Sequence, residues 1–273
     1  MTPGELFQSG KLQEAIEASF GIVRKEPTDA GARYLLSEFL CVAGELERAD
    51  RQLDTLAKQS TEATPRVSLI RQLIRAETAR RQYYSDGRLP EFLVDVSPSL
   101  RLYLDALVAL RGGEEEEAAE SLSQADAQRP RQSGICDGVA FNDLRDLDDL
   151  TASCLELLTS TGKFYLVPFE LISSLEFLPP RRPIDWLWRQ VNMKVENGPD
   201  GDVYLPAIYP KTYEIESGDD LRLGLSTDWI GDSLPVRGVG ERMLLVGDRD
   251  IPFHHLNHIQ FQNVTGANVT KDL

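Results

Sequence analysis

The chain has 273 residues, 41% hydrophobic and 27% charged, the balance of a globular protein with interior for one or two cores, which excludes a disordered or fibrous class. Its net charge of −15, from 44 acidic against 29 basic side chains, sets most of the surface against nucleic acid and anionic membranes and makes a basic partner electrostatically easier. No apolar run reaches the ~18–20 residues of a membrane span.

The start, Met1-Thr2-Pro3-Gly4-Glu5, lacks the basic-then-apolar pattern of a secretory signal. Cys41, Cys136 and Cys154 are too scattered for a CxxC pair or a disulfide framework. The setting expected is a reducing cytoplasm, with each thiol a small buried hydrophobe.

Gly10 and Gly44 lie 34 residues apart, as do Ala15 and Ala49. A third copy follows in GGEEEEAAESLSQADAQRP, with Gly113, Ala118 and Pro130. The glycine permits the turn between two antiparallel helices, the alanine their close approach, and a large residue one turn on (Leu53, Leu122) fills the space beside it. The first copy has Ser19 at that place. Pro27 and Pro130 stop the second helix of their hairpins. Between the copies, Val67, Ile70, Leu73 and Ile74 predict a further helix over residues 65–81. The pattern resembles tetratricopeptide repeats, degenerate at the aromatic positions.

Such stacks commonly hold peptides or helices on their inner helices. Counted from the turn glycines, Tyr34 and Tyr103 are equivalent, with Glu38 and Leu107 one turn later. These four are candidate partner-binding residues, because tyrosine offers large contact area at little rotamer cost. Arg71 and Arg75 join them: they share a helix face within a basic island (Arg66, Arg71, Arg75, Arg80, Arg81, Arg88) fit for an acidic partner. The plainer reading of that island is a solvated face paired with acidic neighbours. Glu114 to Glu117 need no ligand, since carboxylates favour the start of a helix.

The character changes after about residue 133. Asp143 to Leu158 spaces its apolar residues as a helix face, so a helix is expected there, with Asp143, Asp146, Asp148 and Asp149 solvated. Thr161-Gly162-Lys163 turns the chain, and Pro179-Pro180 marks a boundary. WLWRQVNMKV and DVYLPAIYP, separated by Asn197-Gly198 and Asp200-Gly201, read as a strand, a turn and a returning strand. RLGLSTDWI and RMLLVGDRDIPFHHLNHIQF add at least two more, and Thr265 to Leu273 read as a loose polar tail. The fold class expected is α+β in two parts: helical hairpins over residues 1–132, then a small domain of mainly antiparallel strands over 133–273.

Five ordered motifs in this half carry a resemblance. They are Gly162-Lys163-Phe164-Tyr165-Leu166-Val167-Pro168-Phe169, Asp185-Trp186-Leu187-Trp188-Arg189, Val203 to Pro210, Leu221-Arg222-Leu223-Gly224 with Thr227-Asp228-Trp229, and Gly240 to Asp248. Together they are similar to the ImpE family, also called SciE or TagJ, and the helical half agrees in order and length. The family pattern often has a proline after the Trp-Arg pair, where this chain has Gln190-Val191. The resemblance implies a non-enzymatic accessory protein of bacterial type VI secretion, without a cofactor. It also implies association with the small contractile-sheath subunit TssB, by capture of one of its helices, and through it with the recycling ATPase ClpV. It carries over no binding residues. A general helical-repeat scaffold with another client is the alternative.

For an enzyme the chain lacks a P-loop, GxSxG, HExxH and GxGxxG. His254, His255 and His258 cluster, but alternation in HHLNHIQF favours a strand, which would set His254 and His258 about 13 Å apart, too far to share a metal. The carboxylates at 143–149 have no nucleophile or base nearby in sequence. Trp186 and Trp188 are expected on one strand face; if exposed with Trp229 and Tyr209, they would mark a second contact surface.

Overall fold

The computed structural model describes residues 1–59, 64–216 and 218–262; the polar tail from residue 265 lies outside them. Seven helices come first: α1 (Pro3–Gln8), α2 (Leu12–Lys25), α3 (Ala30–Val42), α4 (Leu46–Gln59), α5 (Thr64–Ser85), α6 (Pro98–Gly112) and α7 (Glu115–Gln128). The turn glycines fall between α1 and α2, α3 and α4, and α6 and α7, each with φ of 80 to 84°. At Gly44 the left-handed backbone lets Glu45 N donate back to Leu40 O at 2.9 Å, closing the end of α3. Ala15, Ala49 and Ala118 are fully buried at the helix crossings, and Leu53 and Leu122 are buried beside them. The weak first copy is buried too, with Ser19 in the leucine's place. Asp29 caps α3 and Ser97 caps α6. Glu115, Glu116 and Glu117 occupy the first turn of α7, where the helix dipole favours them.

Strands follow: β1 (Gly134–Cys136), β2 (Val139–Phe141), β3 (Leu144–Asp146), β4 (Cys154–Leu158), β5 (Phe164–Pro168), β6 (Ile172–Phe177), β7 (Trp188–Val195) and β8 (Asp200–Pro206). A one-turn helix α8 (Asp219–Arg222) precedes β9 (Thr227–Ile230), β10 (Arg237–Gly240), β11 (Met243–Val246), β12 (Arg249–Pro252) and β13 (His258–Phe261). The main sheet has the order β2-β1-β13-β6-β7-β8-β4-β5 and is antiparallel throughout. A three-stranded sheet β12-β11-β3 and a two-stranded ribbon β10-β9 complete the half.

The helix expected over Asp143 to Leu158 is absent: the segment forms β3, a turn and β4. Its aspartates explain this. Asp146 Oδ1 accepts from Asp148 N, and Asp148 Oδ1 from Leu150 N, both at 2.9 Å. These short side-chain turns compete with the helical ladder. β4 is buried on both faces, so its apolar run shows no alternation and imitates a helix face.

Two further expectations are corrected. The histidine segment is not one strand: Phe253–His255 is a 3-10 turn, and β13 begins at His258. Trp186 ends the 3-10 turn Pro183–Trp186 while Trp188 opens β7, so they share no strand face.

Between Gln128 and Gly134 the chain passes from helix to strand, yet the hydrophobic interior does not divide there. One cluster runs from the helices into Cys154, Leu158, Phe164, Trp188, Tyr204 and Ile208. Leu155, Leu157, Val167, Val191 and Leu205 belong to a second cluster, with Leu244 and Val246 of β11. The main sheet is therefore a middle layer, with the helical stack on one face and the smaller sheet on the other.

Candidate partner-binding surface

The two halves are joined through buried charge. Arg80, on α5, makes a bidentate pair with Glu156 of β4, Nε to Oε1 at 2.9 Å and Nη2 to Oε2 at 2.8 Å. Glu77 stands 3.3 Å from Arg80 on the helix side, and Tyr84 donates its hydroxyl to Glu156 at 2.8 Å. Arg242 reaches Glu156 and, at 3.0 Å, Asp146, which accepts from the Tyr209 hydroxyl at 2.8 Å. Arg81 joins at Glu77, and Arg237 at Asp148. Four carboxylates (Glu77, Asp146, Asp148, Glu156) thus face four guanidiniums (Arg80, Arg81, Arg237, Arg242), and the formal charges cancel. Burial works against the charge of Glu156, but Arg80 and Arg242 outweigh it and bring its carboxyl down to about 2. Asp146, with less compensation from Arg242, is lifted by burial to about 6. The aspartates read as solvated are in fact buried: Asp149 is also bonded to Arg145 and to Val236 N, and half-buried Asp143 to Arg129.

The inner face of the stack is already occupied. Tyr103 and Leu107 lie in the core between helices, so neither presents surface to a partner. Tyr34 accepts from Arg182 Nη1 at 2.9 Å, and buried Glu38 lies 3.6 Å from the same guanidinium. Burial lifts the Glu38 carboxyl to about 7, against the pull of Arg182. Arg182 belongs to the chain's own Pro179–Leu187 segment, whose 3-10 turn packs on α3. Tyr213 covers the next turn: its hydroxyl donates to Val42 O at 3.1 Å, and a Cβ on Gly44 would stand 2.5 Å from its ring. Tyr34 and Glu38 face a space that the β half fills, while Tyr103 and Leu107 are enclosed within the core.

Arg71 and Arg75 are placed differently. They line a groove along the seam of α4 and α5, where three adjoining depressions of about 580, 360 and 550 Å³ run from Ala57 to Gly44. At ~1.5 Å per residue this span of α4 is about 20 Å long. Leu46, Val67 and Ile74 form its floor. Arg48, Arg51 and Arg71 line it paired with Glu45, Glu47 and Asp50, and Arg81, paired with Glu77, stands at one end, so the charge left over is that of Arg75. Asp50 fixes Arg71 at 2.8 and 3.2 Å, whereas Arg75 is exposed, with no ion pair among the described residues.

Among the described residues no three His, Cys, Asp or Glu side chains converge as metal ligands, and no helix is long and apolar enough to cross a membrane. His254 is held between Glu241, 2.9 Å from Nδ1, and the Trp186 carbonyl, 3.0 Å from Nε2; His255 and His258 are exposed. Trp188 and Tyr209 are buried, leaving Trp229 alone of that expected group substantially exposed.

Comparison with known proteins follows the same division. Residues 6–74 match the tetratricopeptide repeat, and residues 138–260 match the family described as ImpE protein. The chain is 28% identical over 263 residues to the type VI secretion system accessory component TagJ of Pseudomonas aeruginosa, covering 96% of this chain and 92% of that protein. A crystal structure of a Vibrio parahaemolyticus protein superposes with a TM-score of 0.89 at 27% identity, over 95% of this chain and 97% of that one.

Proposed function

We propose that this chain, a protein of the ImpE family by its domain at residues 138–260, is a non-enzymatic cytoplasmic adaptor of type VI secretion. It holds a helix of the small contractile-sheath subunit, TssB, and through that subunit is linked to ClpV-dependent recycling of the sheath. The likeness to an accessory component along nearly the whole chain supports the pathway. The helical hairpins support a binding role.

The observation that carries the binding mode is the α4–α5 groove. Its length suits about three to four helical turns, and its floor offers apolar side chains at helical spacing. Arg75, exposed at the rim and without an ion pair among the described residues, can pair with a carboxylate flanking an apolar stripe, while Arg71 beside it is held by Asp50 and Asp54. The inner face needs no partner because the chain itself covers it.

Co-purification of the full-length protein with intact sheath subunit, and with a subunit truncated of its N-terminal helix, tests this reading. The intact subunit is expected to be retained and the truncated one lost. No retention of the intact subunit at micromolar concentrations would overturn it.

A further inference from the structure

We propose that the outer edge of β9 is a second docking site, which accepts an extended, basic segment of another protein as a third strand of the β9–β10 ribbon. Register fixes which backbone groups are on offer. Glu241 N donates to Ser226 O at 3.0 Å, so the bonded pairs of the ladder are Asp228 with Val239 and Ile230 with Arg237. Thr227 and Trp229 therefore turn their amides and carbonyls away from β10. The corresponding amides of β10 are taken by the body of the protein, Gly238 N by Asp148 and Gly240 N by Thr212. On β9, among the described residues, the Trp229 amide bonds only to the neighbouring Asp228 carboxylate, at 2.9 Å. Among the described residues no segment pairs with that side of β9.

The contrast with the main sheet is direct. There the β5 edge is covered by Glu91, whose amide donates to Phe164 O at 2.9 Å and whose carbonyl accepts from Leu166 N at 3.2 Å. β9 instead presents Trp229, 37% exposed, on one face and Ile230, 39% exposed, on the other. An added strand would pack against both, because neighbouring residues flank an edge alternately.

Charge selects the occupant. Asp220, Asp228 and Asp232 stand in or beside the ribbon, and no basic residue occurs from Leu223 to Val236. A second copy pairing edge to edge would bring these carboxylates against their equivalents in a chain of net charge −15. A strand carrying lysine or arginine beside an apolar residue meets the opposite sign and the exposed Trp229 and Ile230 side chains together.

Titration calorimetry of the full-length protein tests this with three short peptides: alternating lysine and valine, the same peptide N-methylated at alternate backbone nitrogens, and alternating glutamate and valine. Only the first is expected to bind, and Trp229→Ala and Asp228→Lys should each weaken it at least about tenfold. Asp228 is exposed, so its variant carries the test should Trp229→Ala fold poorly. Equal binding of the methylated or acidic peptide, no binding of the first, unchanged affinity in Asp228→Lys, or self-association abolished by Ile230→Asp would each overturn the proposal.

Discussion

Arg80 and Glu156 stand 76 positions apart in sequence, yet form a bidentate ion pair with neither side chain exposed, and that pair fastens the helical stack to the sheet. Removing one partner strands the other's charge in the interior. Glu156→Ala is predicted to lower the unfolding free energy by about 3–5 kcal/mol in urea titration at neutral pH. Arg71→Ala breaks a pair whose side chains are more than a third exposed, and should cost less than about 1 kcal/mol. Equal costs would contradict the distinction.

Glu38 provides the pH test. Its folded carboxyl titrates at about 7, above the ~4.3 of an unfolded chain, so folding carries no ionisation penalty near pH 4 and loses stability as pH rises through 7. Glu38→Gln removes the charge and keeps the shape. The variant is predicted to match the parent near pH 4 and exceed it by about 3–4 kcal/mol at pH 8, read from urea midpoints at the two pH values. A variant less stable than the parent at pH 8 would contradict the assignment.

Gly44 and Gly113 share left-handed backbone, with φ of 84 and 80°, but differ in surroundings. A Cβ at Gly113 meets nothing within 4 Å, whereas one at Gly44 meets the Tyr213 ring. Gly113→Ala should cost only the backbone term, about 1–2 kcal/mol, and Gly44→Ala distinctly more, with a lower melting temperature. Equal melting temperatures would show that Tyr213 yields freely.

The contrast between what could and could not be read in advance follows contact range. The Gly–Ala–Pro hairpins were legible because turn, crossing and stop all lie within about one 34-residue repeat. β3 was not, because its partner β11 comes about a hundred residues later and its aspartates look like a solvated helix face until Arg242 and Tyr209 are brought to them. Arg80 looked like one of a solvating stripe for the same reason. Of the candidate residues, periodicity gave Arg71 and Arg75 a common helix face, and the structure adds that α4 lies beside it. Periodicity had no means of knowing that Arg182 and Tyr213 close the inner face over Tyr34, Glu38 and Gly44.

The central claim is that a partner helix lies in the α4–α5 groove, not on the face that Arg182 covers. Titration calorimetry of the full-length sheath subunit against the parent protein, Arg75→Glu and Tyr34→Phe tests it most directly. Arg75 is exposed, so its variant should keep the parent's melting temperature while weakening binding by at least about tenfold, and Tyr34→Phe should leave affinity unchanged. Full affinity in Arg75→Glu together with a loss in Tyr34→Phe would contradict the account and return the partner to the inner face.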